Sequence, residues 1–391
     1  MALCPSVLAC QSEDARTDMV SVAEYAFKKL HFFGLSWLSR CVRKNSSNNY
    51  FFDNIQLNFY RKTCMRRLLL SLVLSLLTST TANALSESLI KGVEVERFTT
   101  VVKIPGEGDA SDVTLESLLV KPTTPSPWPV VILPSNCSGD EDKLWHYWAP
   151  ALSQAGIAVV LEDSFGARKI TNACKNAFVL PFKQRLLDVH VLLRQVRADP
   201  RFIPDKVALG GHSAGATTAF LSSFSEALSK MASENLEPFN LYFGAASTCE
   251  LTFKDPKLNG PLLLIHGSRD EYTRLQPCVD AIDRLKNAGQ PADILIIEGV
   301  EHSFSTNATF VRGLMKWPKE GPPLYMDEFS YVAKKSTALL HDGTPIGFEE
   351  YMRKHAGFLG KNLFGAYLGT TYDKAPEVVD GTLKFLKSNG F

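Results

Sequence analysis

The chain has little net charge of either sign. Its 42 lysines and arginines stand against 41 aspartates and glutamates, a formal net charge of +1, so no basic face points to a nucleic-acid partner. It has no CxxC pair and no HExxH, which removes the commonest zinc spacings, and nothing else calls for a metal or a cofactor. It also lacks a hydrophobic run long enough to cross a bilayer. The strongest candidate, MRRLLLSLVLSLLTSTTANALS from Met65, is uncharged from Leu68 to Ala84, short of the roughly 20 residues that a spanning helix needs.

What that stretch does have is the order of an export signal: two arginines, a Leu-rich core to about Leu77, and the small residues Ala82-Asn83-Ala84 that a signal peptidase accepts. A buried core helix rarely combines such a start with such an end. Residues 65–84 are therefore expected to be a signal peptide cleaved near Ala84, with a start of translation at Met65 or a long leader before it as the two ways of reading residues 1–64. The upstream stretch CVRKNSSNNYFFDNIQLNFYRKTC shows no sustained periodicity and no turn chemistry, and no domain is expected there. Residues 85–391 suffice for one large α/β domain. Of eight cysteines, Cys137, Cys174, Cys249 and Cys278 fall in this part. In an oxidising compartment four cysteines permit two disulfides in three connectivities, whereas in cytosol they would stay buried thiols.

From about residue 92 the chain alternates strands with helices. VEVERF alternates apolar and polar residues as a half-buried strand does, and TLESLLVKP follows as an antiparallel partner. Beyond the Pro-rich turn TTPSPWP come the continuous apolar runs PVVILPS, IAVVLEDS, KVALGGHS, PLLLIHGS and DILIIEG, the mark of strands buried on both faces. Helical patterns separate them: DKLWHYWAPALSQAG, PFKQRLLDVHVLLRQVRADP, AGATTAFLSSFSEALSKM and QPCVDAIDRLKNAG, with a last helix in PEVVDGTLKFLKSNG. This order predicts a doubly wound, mostly parallel α/β sheet. Ligands gather at the carboxyl ends of such strands, so the residues just after each run are the ones to inspect.

The third run ends in Gly211-His212-Ser213-Ala214-Gly215, a G-x-S-x-G between strand and helix. In that context it forms a nucleophile elbow, whose small flanking residues let strand and helix approach while the serine hydroxyl is exposed; the bland alternative is a glycine-rich turn with a capping serine. A nucleophilic serine needs a base and a group to orient it, in the order Ser, acid, His. Asp270 follows one apolar run in LLLIHGSRDEYT and His302 follows the next in ILIIEGVEHSFS. His266 precedes the acid, His212 is fixed beside the nucleophile facing the wrong way, and Glu271 points elsewhere, so Ser213, Asp270 and His302 are the expected catalytic set.

With GGHSAG, HGSRDEYT, GVEHSF and above all EDSFGAR at 162–168, the chain resembles the dienelactone hydrolase-like branch of the α/β hydrolases over roughly residues 92–304 and the final helix. It departs in using Ser213 where dienelactone hydrolases proper use cysteine, and in replacing the usual His-Gly turn by Ser135-Asn136. The resemblance implies an oxyanion hole formed by the backbone N–H groups of Ala214 and Cys137, and a contact from Arg168 to a substrate carboxylate, against which stands an Arg168 paired with Asp163 or capping a loop. Trp145 is a candidate substrate contact in the aromatic cluster Trp145, His146, Tyr147 and Trp148, although aromatics at helical spacing are usually core. In this fold the segments carrying Cys137 and Cys174, and those carrying Cys249 and Cys278, meet at the same end of the sheet, which predicts those two disulfides. Residues 307–370, rich in aromatics and Pro-Gly breaks, form an insertion before the last helix, expected either to cover the site as a lid or to elaborate the sheet edge.

These features point to an exported, periplasmic or secreted serine hydrolase acting on a small or medium carboxylic ester or lactone. The alternatives are a peptidase or amidase with the same triad and a binding protein on an inactive hydrolase scaffold.

Overall fold

Val130, Ile132, Val160, Val207 and Leu264 face one layer of the core, whereas Val131, Leu133, Val159, Ala208 and Ile265 face the other. Such alternation along unbroken apolar strands requires cover on both sides. The computed structural model describes residues 93–103, 112–138, 143–174, 179–304 and 374–391, with 310–312, 324–327, 330, 336–340, 342–347, 350–351, 365–367 and 369 between them, and no side chains for 143–147, 310–312 or 365–367. The chain divides into Met1–Ala84 and Leu85–Phe391, and every described residue belongs to the second unit. The expected signal segment 65–84 and residues 1–64 thus lie outside the described residues.

The main sheet has eight strands: β1 (Glu94–Lys103), β2 (Asp112–Lys121), β3 (Trp128–Pro134), β4 (Ala158–Glu162), β5 (Phe202–Leu209), β6 (Leu241–Ala245), β8 (Leu262–Gly267) and β9 (Ala292–Ile297). Their spatial order is β1-β2-β4-β3-β5-β6-β8-β9. The first two are antiparallel, with Val95 opposite Val120, and β2 is antiparallel to β4. From β4 to β9 every pairing is parallel. Helices α2 (Phe182–Ala198), α3 (Ala214–Ser222) and α5 (Leu275–Asn287) cover one face through Leu186, Leu192, Phe220, Ile282 and Leu285. Helices α1 (Lys143–Gln154) and α6 (Ala375–Ser388) cover the other through Trp148, Leu152, Val378 and Leu386. Among the described residues no helix is long and apolar enough to cross a membrane.

Three features correct the expected element order. FNLYFGAAS supplies β6, which pairs between β5 and β8 although it holds just five residues, one of them glycine. AGATTAFLSSFSEALSKM is two helices, because Phe224 turns extended between α3 and the short α4 (Ser225–Ser229) and bridges to Leu258. Its ring is buried against Phe220 and Phe253, so packing overrides the helical pattern. Within 307–370, β11 (Leu324–Met326), β12 (Thr337–Leu339) and β13 (Pro345–Gly347) form a small sheet with β7 (Leu251–Thr252), and β10 (Phe310–Arg312) pairs with β14 (Gly365–Tyr367). Leu324, Met326 and Ala338 belong to the same core as Leu251 and Leu285. That part of the insertion is built into the core on the flank of α5.

Candidate active site

Because β3 through β9 run parallel, the turns after β3, β5, β6, β8 and β9 emerge at one edge of the sheet. After β5 the chain turns into α3 so tightly that a Cβ on Gly211 would lie 2.5 Å from the Gly215 carbonyl carbon, and one on Gly215 would lie 2.5 Å from the Pro134 oxygen at the end of β3. Those two glycines bring the start of α3 against β3. At the apex Ser213 has φ 55 and ψ −116, a conformation that non-glycine residues adopt at a cost of about 1–3 kcal/mol where the surroundings enforce it. Enforcement comes from β6: the Ser213 N–H donates to the Ala245 carbonyl and the Ala245 N–H to the Gly211 carbonyl, both at 2.9 Å.

After β9 the chain packs against Gly267 at the end of β8, where a Cβ would lie 2.5 Å from the Val300 oxygen, and it places His302 beside the serine. The Ser213 Oγ lies 2.9 Å from His302 Nε2, and His302 Nδ1 lies 2.9 Å from Asp270 Oδ2. With Nδ1–H donating to the carboxylate, Nε2 is left as the acceptor for the serine hydroxyl. Asp270 is fixed by its own loop, its Oδ1 accepting the N–H groups of Tyr272 at 2.8 Å and Thr273 at 2.9 Å. All three side chains are buried. Burial alone would raise the Asp270 pKa, but the His302 charge and the hydrogen bonds from His302 and Thr273 outweigh it and bring the carboxyl to about 2. Burial lowers the His302 pKa below the usual 6.5, against the partial opposition of Asp270.

Two neighbours of the Ser213–His302–Asp270 line carry no motif of their own. The Thr273 Oγ lies 2.8 Å from Asp270 Oδ2, 3.0 Å from His302 Nδ1 and 3.0 Å from the Ala246 carbonyl. The Tyr272 ring stands edge-on to His302 with centroids 4.8 Å apart, and its hydroxyl donates to the Cys174 carbonyl at 3.4 Å. The signal for both was the Asp-x-x-Thr spacing, in which an aspartate caps the N–H groups two and three residues on. The rival residues stand elsewhere: the His266 ring nitrogens lie 3.3 Å from the Ser247 carbonyl and 3.4 Å from that of Gly267, Glu271 is exposed, and His212 holds the His302 carbonyl through Nε2 at 2.9 Å.

The turn after β3 faces the elbow. Ser135 N–H donates to the Glu162 carbonyl at 3.0 Å, the Asn136 Oδ1 accepts the Ser138 N–H at 2.7 Å, and the Cys137 carbonyl accepts the Ala173 N–H at 2.7 Å. Cys137 is paired with Cys174, and Cys249 with Cys278, at Cα separations of 4.8 and 4.9 Å. The structure therefore brings together the two expected pairs, and the first ties this turn to the loop that meets Tyr272. Ala214 opens α3 directly beside it.

Of its expected roles Arg168 fits the loop-capping one, with a buried carboxylate as its further partner. Its Nη1 and Nη2 each donate to the Asp188 carboxylate at 2.8 Å, and Nη1 also donates to the Ser164 carbonyl at 2.6 Å. The fork is closed on a buried carboxylate of α2, not offered to a substrate. Nor does it pair with Asp163, whose Oδ1 accepts the N–H groups of Phe165 and Gly166. The reason is topological: the turn after β4 passes over α2, a neighbour that local spacing does not reveal. The side chains of Trp145, His146 and Tyr147 lie outside the described residues, while Trp148 is core, edge-on to Phe243 at 5.4 Å. Among the described residues no three His, Cys, Asp or Glu side chains group as metal ligands would.

Residues 115–335 match the model of the dienelactone hydrolase family. No curated protein matches the chain. Among solved structures it is similar to an alpha-beta serine hydrolase homologue from Coxiella burnetii, at 18% identity over 54% of this chain and 89% of that one, with a TM-score of 0.37. It is also similar to a thermophilic esterase from Thermogutta terrifontis, at 15% identity over 55% and 85% of the two chains, with a TM-score of 0.41.

Proposed function

From the premise that this chain is a hydrolase belonging to the dienelactone hydrolase family, we propose that it cleaves a small or medium carboxylic ester or lactone through an acyl-enzyme on Ser213. The observation that carries this reading is the continuous hydrogen-bonded line from the Ser213 Oγ through His302 to Asp270, with both links at 2.9 Å. His302 Nε2 takes the hydroxyl proton as Oγ attacks the carbonyl carbon, and Asp270 holds the ring and stabilises the imidazolium. The tetrahedral oxyanion is received by the N–H groups of Ala214 and Cys137. Collapse breaks the C–O bond to the leaving alcohol, which takes the proton from Nε2. A water then gives its proton to Nε2 and attacks the acyl carbon, and collapse of this second tetrahedral intermediate breaks the bond to Oγ, which takes the proton back from Nε2 as the acid is released. Fluorophosphonate labelling mapped to Ser213, with turnover of p-nitrophenyl esters lost on modification, is the expected result. An unlabelled, folded protein that hydrolyses no ester would overturn the reading.

Export is part of the same proposal. It is supported by the signal-like segment ending at Ala84 and by two cysteine pairs in bonding geometry. Amino-terminal sequencing of the exported form should begin near Leu85, and non-reducing peptide mapping should recover Cys137–Cys174 and Cys249–Cys278. Four free thiols would refute it.

A further inference from the structure

Behind the turn after β3 lies a group of buried charges that the proposed chemistry does not use. Glu162 ends β4, Arg185 and Asp188 lie on α2, and all three are buried. Asp188 is held on both oxygens by Arg168 and, at 3.0 Å, by Gln184. Glu162 Oε1 accepts the Ser164 hydroxyl at 2.6 Å. The Arg185 guanidinium lies over the Phe165 ring, 5.2 Å from its centroid, amid Glu162, Asp188 and Asp163, and its Nη2 donates to the Ser135 carbonyl. A guanidinium is expensive to desolvate, and apolar side chains of similar volume often serve stability as well or better. Among the described residues its one backbone hydrogen bond goes to the first residue of the turn that carries the proposed oxyanion donor Cys137.

The contact has a directional consequence. Ser135 lies just past the end of β3, where its N–H is taken by the Glu162 carbonyl. A peptide unit is planar, with its carbonyl and the next N–H on opposite sides, so fixing the Ser135 carbonyl toward α2 fixes the plane from which Asn136 and Cys137 continue. We propose that Arg185 is a positioning residue: by holding the Ser135 carbonyl it sets the 135–138 turn in the orientation that receives the oxyanion during acyl transfer. This rests on the reading of Ser213 as nucleophile and adds a residue that acts through the backbone without touching substrate. Burial lowers the guanidinium pKa to about 10 against the opposition of its acidic neighbours, which leaves it charged at neutral pH, and Phe165 fixes its plane.

The test compares Arg185→Met, Arg185→Lys and Gln184→Leu in the purified protein, the last altering the same cluster without touching the turn. Removing a direct oxyanion donor typically lowers kcat by about 10²–10³, so loss of the group behind the turn is expected to lower kcat by ~10- to 100-fold in Arg185→Met, with KM within about threefold. Arg185→Lys is expected to lose less, and Gln184→Leu to melt earlier with kcat within about twofold of wild type. Affinity for a trifluoromethyl ketone that forms a tetrahedral adduct should fall in step with kcat, and amide exchange at 136–138 should quicken in the Arg185 variants alone. Wild-type kcat in folded Arg185→Met overturns the proposal, as do equal kcat losses in the Arg185 and Gln184 variants. If Arg185→Met does not fold, unchanged kcat and ketone affinity in Arg185→Lys overturn it. If wild type itself turns over no ester, the hydrolase reading has failed, and unchanged exchange at 136–138 then overturns the positioning role separately.

Discussion

A serine hydroxyl keeps its proton at neutral pH, so what Ser213 can do depends on the imidazole nitrogen 2.9 Å away. Ser213→Ala and His302→Ala should each lower kcat on one ester by about four orders of magnitude or more, and the double variant little further, because the two act in one step. Asp270→Asn should cost less, since the Thr273 hydroxyl still lies 3.0 Å from Nδ1; near wild-type turnover in a folded Ser213 or His302 variant would mean the triad is misassigned. Burial lowers the His302 pKa below 6.5, and protonated His302 accepts no proton from serine. The acid limb of kcat/KM should therefore fall below pH 6.5, as a pH profile will show. For Arg168 the expected loss is in stability. Arg168→Met leaves the Asp188 carboxylate buried with its main partner gone, a change worth about 3–5 kcal/mol in comparable pairs, while KM for a neutral ester stays unchanged. A selective rise in KM for esters carrying a second carboxylate would instead return the guanidinium to the substrate.

At the level of elements, what was legible followed from unbroken apolar runs. Each side chain of the Ser213, Asp270 and His302 line stands just past such a run, so the parallel topology implied their common edge before any distance was known. What was not legible depended on distant packing. β6 is five residues with a glycine inside, Phe224 breaks a helical pattern to reach Leu258, and Arg185 meets Ser135 across 50 positions of sequence. The insertion shows the same limit. Part of it packs into the core: β11 pairs in parallel with β7, Arg284 of α5 stacks on Tyr325, and Lys230 donates to the Asp327 carbonyl at 2.7 Å. Leu324 is 2% exposed, so Leu324→Ala should lower unfolding free energy by about 2–5 kcal/mol, as large-to-small core changes do, with kcat and KM little altered. Urea denaturation alongside ester kinetics checks this; a loss below about 0.5 kcal/mol with a changed KM would favour the lid alternative for this stretch.

Over the whole molecule, the pH dependence of stability is set by a few buried groups, since the near-balanced surface charge supplies little net repulsion. Burial raises Glu162 to about 8 and Glu250 to about 7, each from 4.5. For both, the native state binds the proton more tightly than the unfolded chain, so the stability they contribute is complete below pH 4.5 and is lost as pH rises toward 7 and 8. His190, buried between the Glu237 carbonyl and the Ser222 hydroxyl, is lowered to about 4 from 6.5. Its contribution is complete above pH 6.5 and is lost as pH falls toward 4, because the unfolded chain takes up the proton first. His302 is lowered in the same direction. Between about pH 4.5 and 6.5 the carboxyls and imidazoles therefore oppose each other, and above 6.5 the carboxyls act alone. Urea midpoints of the disulfide-intact protein should change little across the first interval and decline from pH 6.5 to 8. In Glu162→Gln the side chain is neutral at every pH, so the part of that decline between 7 and 8 should be largely removed while the midpoint at pH 5 stays close to wild type. If wild type and Glu162→Gln decline in parallel, the buried Glu162 carboxyl is not the group whose ionisation opens the fold.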